Sequence, residues 1–372
     1  MAASNLKQKI EKLMRRHLAQ AVGYQPIEPL EILREDAGIP VEGVVKLDGN
    51  ENPYGPSPRV AKALAKYPFY NIYPDPQQRQ MRKALEEYVG IGAEHIVAGS
   101  GSDELIDLLL RLFLEPGDEV IICEPTFGMY HFSTEVCGGR VKDVPRDALY
   151  DMDVAAVKRG VGSNTKVIFI TNPNNPTGNV TEEQAILELL DTGRLVVVDE
   201  AYYEFCKATV APLVPKYENL VVLRTFSKWA GLAGLRLGYG IFPLKIAQYL
   251  LKIKPPYNIN AAAQVAALES LKDTDYLLGT VEAIVAERER LYVKLKEVGF
   301  LKPCPSRGNF ILCAVLEGDA LDVHRRLRER GISVRYFDRP SLRSFIRISV
   351  GKPEHTDILI EALRDIGEKI HG

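Results

Sequence analysis

The sequence predicts an α/β protein: a large domain with a mostly parallel sheet between helices, and a smaller α+β domain after it. Three observations carry this. Short apolar runs at 95–98, 119–123, 166–171, 194–199, 219–224 and 237–242 have strand length. Several are almost continuously apolar, such as Val167-Ile168-Phe169-Ile170 and Leu195-Val196-Val197-Val198, which suits strands buried on both faces. The stretches between them, such as 103–114 and 181–190, are long enough for crossover helices. The pattern then changes near Lys254-Pro255-Pro256. Two long helical stretches follow, at 261–271 and 275–298, then strand 309–314, helix 320–330, strands 333–336 and 345–350, and a last helix at 354–370.

Taken from the N-terminus, Leu6, Ile10, Leu13 and His17/Leu18 recur at helical spacing after the capping residues Ser4 and Asn5. A Pro- and Gly-rich arm runs to Ser57-Pro58, a helix start with Ser as cap and Pro in the first turn. The expected division is an N-terminal helix and arm at 1–47 packing on the small domain, a large domain at 48–255 and a small domain at 256–372.

The chain has 372 residues, 46% hydrophobic and 26% charged, enough for a sizeable core. Lys plus Arg number 47 against 49 Asp plus Glu, so the net charge is −2. A nearly neutral protein has no long-range attraction for nucleic acid or a membrane surface, and neither is expected as a partner. Cys123, Cys137, Cys206, Cys304 and Cys313 are widely spaced, without a Cys-x-x-Cys, and read as free thiols in a reducing cytosol. Residues 1–16 lack the apolar stretch of a secretory signal, and no apolar run is long enough to span a bilayer, so a cytoplasmic location is expected. The six histidines show no ligand spacing, and no metal is expected.

The most informative stretch is 225–239, which begins Thr225-Phe226-Ser227-Lys228-Trp229 and contains Arg236. A lysine just past a buried strand, with hydroxyls at −1 and −3, can form an imine with an aldehyde cofactor. Thr225, Ser227 and Arg236 can hold that cofactor's phosphate. Taken alone Lys228 would be a solvated lysine in a Gly-rich turn. Three further pieces change that. Asp199 ends an apolar strand with Tyr202 three residues on, placing a carboxylate for a protonated pyridine nitrogen and a phenol for the ring's 3-oxygen. Thr171-Asn172-Pro173-Asn174-Asn175-Pro176-Thr177-Gly178 also follows a strand, and Asn175 can donate to the same oxygen. Gly99-Ser100-Gly101-Ser102-Asp103-Glu104 joins a strand to a helix and leaves backbone amides bare for a phosphate. Phe127, at another strand-to-helix junction, can stack on the ring.

Together and in this order, these motifs resemble the fold-type-I pyridoxal-phosphate aminotransferases over nearly the whole chain. The chain is most similar to the group that acts on histidinol phosphate, through 47–56 (Leu-Asp-Gly-Asn-Glu-Asn-Pro-Tyr-Gly-Pro), Tyr73-Pro74-Asp75, 101–104, 125–130 and 345–351. The resemblance implies a seven-stranded, mostly parallel large sheet and pyridoxal 5′-phosphate as cofactor. It implies Lys228 as the Schiff-base lysine, Asp199 at the ring nitrogen, and Tyr202 with Asn175 at the 3-oxygen. Ser102 and Asp103 amides, Ser227 and Arg236 would take the phosphate. Tyr73 would reach the neighbouring subunit's phosphate, so the resemblance implies a homodimer with shared sites. Arg347, Arg335, Tyr24 and Asn52 would meet the substrate. The family's Pro-Tyr-x-Pro-Gly run reads Gly23-Tyr24-Gln25-Pro26-Ile27 here, and position 127 is Phe where many members carry Tyr.

The activity implied is transamination between L-histidinol phosphate and 2-oxoglutarate, giving imidazole acetol phosphate and glutamate in histidine biosynthesis. An aromatic-amino-acid aminotransferase or a threonine-phosphate decarboxylase would share the cofactor residues. A non-catalytic binding module is the reading of another class, and the intact Lys228 speaks against it.

Overall fold

The computed structural model of the chain describes residue 10 and residues 12–21, 23–40 and 43–371. The expected cap residues Ser4 and Asn5, and Leu6, lie outside them. Within them the N-terminal segment forms a helix at Arg16–Gln20.

The strands are β1 (Val45–Leu47), β2 (Ile96–Gly99), β3 (Glu119–Glu124), β4 (Arg140–Pro145), β5 (Thr165–Thr171), β6 (Leu195–Asp199), β7 (Leu220–Thr225), β8 (Gly238–Ile241), β9 (Leu301–Pro303), β10 (Phe310–Val315), β11 (Ile332–Tyr336) and β12 (Phe345–Ser349). The large sheet is seven-stranded, in the order β2-β8-β7-β6-β5-β3-β4. Neighbours run parallel except at β8, which is antiparallel to both β2 and β7. Its near-continuous apolar runs split by alternation. Val97, Val120, Val167, Val197 and Val221 enter one apolar cluster; Ala98, Ile121, Ile168, Val196 and Val222 enter the other. Both faces are therefore packed under helices, as strands of that composition require.

Three strands are not legible from apolar runs. β4 reads Arg-Val-Lys-Asp-Val-Pro, lies at the sheet edge and leaves most side chains in solvent. Edge strands tolerate this mixture of charge and proline. β1 and β9 have only three residues each.

The second sheet has the order β1-β11-β12-β10-β9. β1 comes from the N-terminal arm and pairs in parallel with β11, so residues 48–50 leave this sheet directly toward the large one. Ser57 caps the helix Pro58–Lys66 by accepting from Arg59 N, with Pro58 in the first turn as expected. The helix Arg16–Gln20 lies against the helix Met129–Val136, whereas Leu30–Ala37 packs on Ala320–Arg328, so the arm touches both parts. The Ala-rich helix Ala261–Leu271 packs against Pro58–Lys66 and Arg79–Val89. We propose domain limits near residues 47 and 255, with that helix bridging back onto the large domain.

The parallel strands end together. Glu124, Thr171, Asp199 and Thr225 close β3, β5, β6 and β7 at the same sheet edge, where open α/β sheets bind ligands.

Candidate active site

A cavity of about 1500 Å³ opens at that edge, between the strand ends, arm residues 23–27 and 48–51, and the second sheet's Arg335 and Arg347. Tyr24, Ser102, Asp103, Phe127, Asn175, Asp199, Tyr202, Thr225, Ser227, Lys228, Arg236, Arg335 and Arg347 all line it. Residues up to 323 positions apart in sequence, Tyr24 and Arg347, thus meet in one space. Two expected residues do not line it. Asn52 is buried outside, donating to Trp229 O at 2.9 Å and Thr280 Oγ1 at 3.2 Å while accepting from Tyr54 N. Its amide is fully used in bracing the arm. Tyr73 is 77% exposed and stacks on Tyr257 with ring centres 4.4 Å apart.

Lys228 sits on a turn fixed from both sides. Thr225 Oγ1 accepts from Ser227 N and donates to Ser227 Oγ, each at 3.0 Å. Phe226 and Trp229 on either side are buried in the core, so the turn cannot roll. The lysine Nζ donates to Gly49 O at 2.8 Å. Burial and then the nearby Arg347 pull its pKa from the ordinary range down to about 8.

Asp199 is buried at the end of β6. Its Oδ2 accepts from Tyr130 OH at 2.8 Å and its Oδ1 from Ala201 N at 3.1 Å. Tyr130 is itself held flat on Phe169 at 4.5 Å. Among the described residues no Lys or Arg pairs with this carboxylate. Burial therefore pushes its pKa up to about 6, with the two hydrogen bonds opposing.

The Tyr202 oxygen accepts from Asn50 Nδ2 at 3.0 Å and Asn175 Nδ2 at 3.1 Å. Burial pushes the Tyr202 pKa up to about 12. Asn175 Oδ1 in turn accepts from Arg347 Nη1 at 2.7 Å. Arg347 also donates to Asp48 O, and its buried Nε has no partner among the described residues. A guanidinium so enclosed is costly without an anion. Arg335 spends two N–H groups on Gln25 O and Pro26 O, tying the arm across the cavity.

At the other end the helix Ser102–Phe113 begins without a side-chain cap. Gly101 there has φ +78°, which glycine adopts without strain. A Cβ on Gly238 would lie 2.4 Å from Ser102 N, so β8 passes directly under the helix start. Arg236 Nη2 reaches the same place, bonded to Asp103 Oδ2 at 2.8 Å. Bare amides, the Ser227 hydroxyl and a guanidinium form an anion cradle. Phe127 lies edge-on to Tyr24 and Tyr130.

Sequence reasoning missed Asn50 and Tyr130 as partners. Asn50 adopts a left-handed φ of 53°, a conformation favoured by asparagine. Its side chain is fixed by Ser349 Oγ, which donates to Oδ1 at 2.8 Å. Tyr130 stands three residues beyond Phe127 on a short helix, one turn on, and that spacing was the available signal.

Comparison with known proteins agrees with this geometry. Residues 42–363 match the family described as "Aminotransferase class I and II". A histidinol-phosphate aminotransferase of Dehalococcoides mccartyi (strain CBDB1) is 50% identical over 359 residues, covering 96% of this chain and 99% of that protein. The chloroplastic histidinol-phosphate aminotransferase 1 of Arabidopsis thaliana is 48% identical over 95% of this chain and 86% of its own length. The crystal structure of histidinol-phosphate aminotransferase from Sinorhizobium meliloti in complex with pyridoxal-5′-phosphate superposes with a TM-score of 0.85, at 26% identity, over 95% of this chain and 97% of that one.

Proposed function

The chain belongs to the aminotransferase class I and II family, and we propose that it is the transaminase that moves an amino group between L-histidinol phosphate and 2-oxoglutarate with pyridoxal 5′-phosphate. One observation carries the cofactor reading. A single cavity holds a turn-fixed lysine of depressed pKa, a buried carboxylate without a cation and a cradle built for an anion. These are complementary to an aldehyde, a pyridinium and a phosphate on one rigid molecule. When bound, pyridoxal phosphate supplies an aldehyde for amine exchange and a ring that draws electrons from the substrate's Cα.

The chain's residues do the rest. Lys228, with its neutral amine within reach of neutral pH, would hold the cofactor at its aldehyde carbon. Its free amine would move the proton at the substrate's Cα. Asp199 holds the ring nitrogen's charge, and Tyr130 and Ala201 N orient its oxygens. Tyr202 and Asn175 hydrogen-bond the 3-oxygen, with Asn50 fixing the phenol. The Ser102 and Asp103 amides, Thr225, Ser227 and Arg236 would hold the phosphate, and Phe127 would lie against the ring. Arg347, with Arg335 and Tyr24 beside it, binds the substrate's anionic end. An arginine fork suits both the phosphate of histidinol phosphate and the α-carboxylate of glutamate.

We further propose a cytoplasmic homodimer. Tyr73, Tyr70, Ile72 and Phe69 are exposed side chains in one turn-rich segment. A second copy would cover them and receive Tyr73 at its phosphate cradle. No helix among the described residues is long and apolar enough to cross a membrane.

The test of the function is initial-rate kinetics with histidinol phosphate and 2-oxoglutarate. Glutamate should form, with the parallel double-reciprocal lines of a ping-pong reaction. Absence of glutamate from cofactor-loaded protein refutes the reading.

A further inference from the structure

β6 reads Leu-Val-Val-Val-Asp and β7 reads Leu-Val-Val-Leu-Arg-Thr, and all these residues are buried. Strands this uniform do not choose their own register. Sliding one past the other exchanges one branched aliphatic side chain for another on both packed faces. Yet the register decides where Asp199 stands relative to Thr225, Ser227 and Lys228. The observed pairing sets Asp199 against Leu223, one residue before Arg224.

Next to Asp199 and directly after the β7 run stand Glu200 and Arg224, and their side chains point at each other. Arg224 donates through Nε at 3.0 Å and Nη2 at 2.9 Å to one oxygen of Glu200. Thr209 completes the arrangement, donating to that oxygen at 2.7 Å and accepting from Arg224 Nη2 at 2.8 Å. The other Glu200 oxygen accepts from Val210 N at 2.8 Å. The Arg224 guanidinium lies 3.6 Å over the Tyr203 ring. Both residues are buried, and neither lines the cavity. Glu200 directly follows Asp199, and Arg224 directly precedes Thr225.

We propose that the Glu200–Arg224 pair is the register pin of the site: a pair of positioning residues that sets the ring-nitrogen carboxylate against the phosphate hydroxyls and the lysine turn. A buried ion pair adds little net stability over an apolar replacement. Its use here is geometric, because a slip of β7 would leave both partners buried and unpaired, which the aliphatic residues alone do not penalise. The proposal rests on the cofactor reading of Asp199, Ser227 and Lys228.

The test compares the full-length wild type with Glu200→Gln/Arg224→Met, which removes both charges and keeps an acceptor for Val210 N; the buried Glu204, which Arg224 also faces, then takes up a proton. Two measurements are made. Hydrogen exchange of the β7 amides is followed in cofactor-free protein. Pyridoxal-phosphate affinity is measured by equilibrium binding. The expected result is a Tm equal to or above that of wild type, with exchange at 223–225 at least tenfold faster and cofactor affinity at least tenfold weaker. Arg224→Lys, which keeps the charge but not the two-pronged contact, should fall between. Unchanged exchange at 223–225 in the double variant overturns the pin, as does unchanged cofactor affinity. A fall in Tm with both quantities at wild-type values makes the pair merely structural and also overturns it. Failure of wild type to bind pyridoxal phosphate strikes the cofactor reading instead, and the exchange measurement still decides the pin.

Discussion

Replacing Asp199 by Asn should have opposite effects on stability and on activity. The carboxylate is buried without a cation among the described residues, and its pKa stands at about 6 against an ordinary 3.8. The folded chain therefore holds a proton there more tightly than the unfolded chain does. That difference is a cost of folding which is absent below pH 3.8, grows between 3.8 and about 6, and is complete above it. About two units correspond to about 3 kcal/mol. Asn carries no charge, and the local bonds can survive: Ala201 N still finds an oxygen, and the amide can donate to Tyr130. Tyr130 then turns its own proton to Thr171 Oγ1, 2.8 Å away. Cofactor-free Asp199→Asn should thus be more stable than wild type by up to about 3 kcal/mol at pH 7, the gain shrinking to nothing near pH 4. Activity should move the other way, falling at least about a hundredfold, or about 3 kcal/mol of barrier, because an amide cannot balance a pyridinium. Urea unfolding of cofactor-free protein from pH 4 to 8, beside kcat/KM, reads both. A variant that is less stable at pH 7 and nearly fully active would refute the reasoning, since Asp199 would then be an ordinary structural carboxylate.

Borohydride treatment of the cofactor-loaded protein should fix the cofactor on the peptide containing Lys228, and a label on another lysine would contradict the assignment; Lys228→Ala should keep the fold and lose turnover by orders of magnitude. Lys228 has its pKa lowered to about 8, so capture of pyridoxal phosphate by the cofactor-free chain should speed up as pH rises through about 8 and level off above it. A rate independent of pH between 7 and 9 would contradict the lysine's environment. Mixed dimers of Lys228→Ala and Tyr73→Ala chains should recover activity, because one of the two shared sites is intact; verified mixed dimers without activity would place Tyr73 outside the site.

The fold was legible where composition constrains it. Strands such as Val167-Ile168-Phe169-Ile170 are apolar on successive residues, and only burial on both faces accommodates that. β4 was not legible, because an edge strand in solvent needs no pattern at all. Within the site, the side chains at or just past the ends of buried strands (Asp199, Lys228, Asn175) could be named, since each stands at a junction with a chemical reason to be there. Partners that act through conformation were hidden. Asn50 depends on a left-handed backbone and on Ser349 from the far end of the chain. Asn52 stands two residues from Asn50 in the same run, and only the fold shows that its amide is spent on Trp229 and Thr280. The Glu200–Arg224 pair likewise looks like two surface charges until β6 and β7 are laid side by side.

The central claim is most directly tested by what Arg347 is for. Its Nε is buried and unpaired, and no carboxylate among the described residues meets it. Histidinol phosphate, which has no carboxylate, can satisfy it only through its phosphate. The measurement is kcat/KM for histidinol phosphate, histidinol, phenylalanine and threonine phosphate, each with 2-oxoglutarate, while also following CO₂ release. Histidinol phosphate should lead histidinol by at least about a hundredfold, the worth of one charged contact. In Arg347→Ala both half-reactions should weaken and that lead should collapse. Phenylalanine in the lead, or CO₂ from threonine phosphate, would contradict the account.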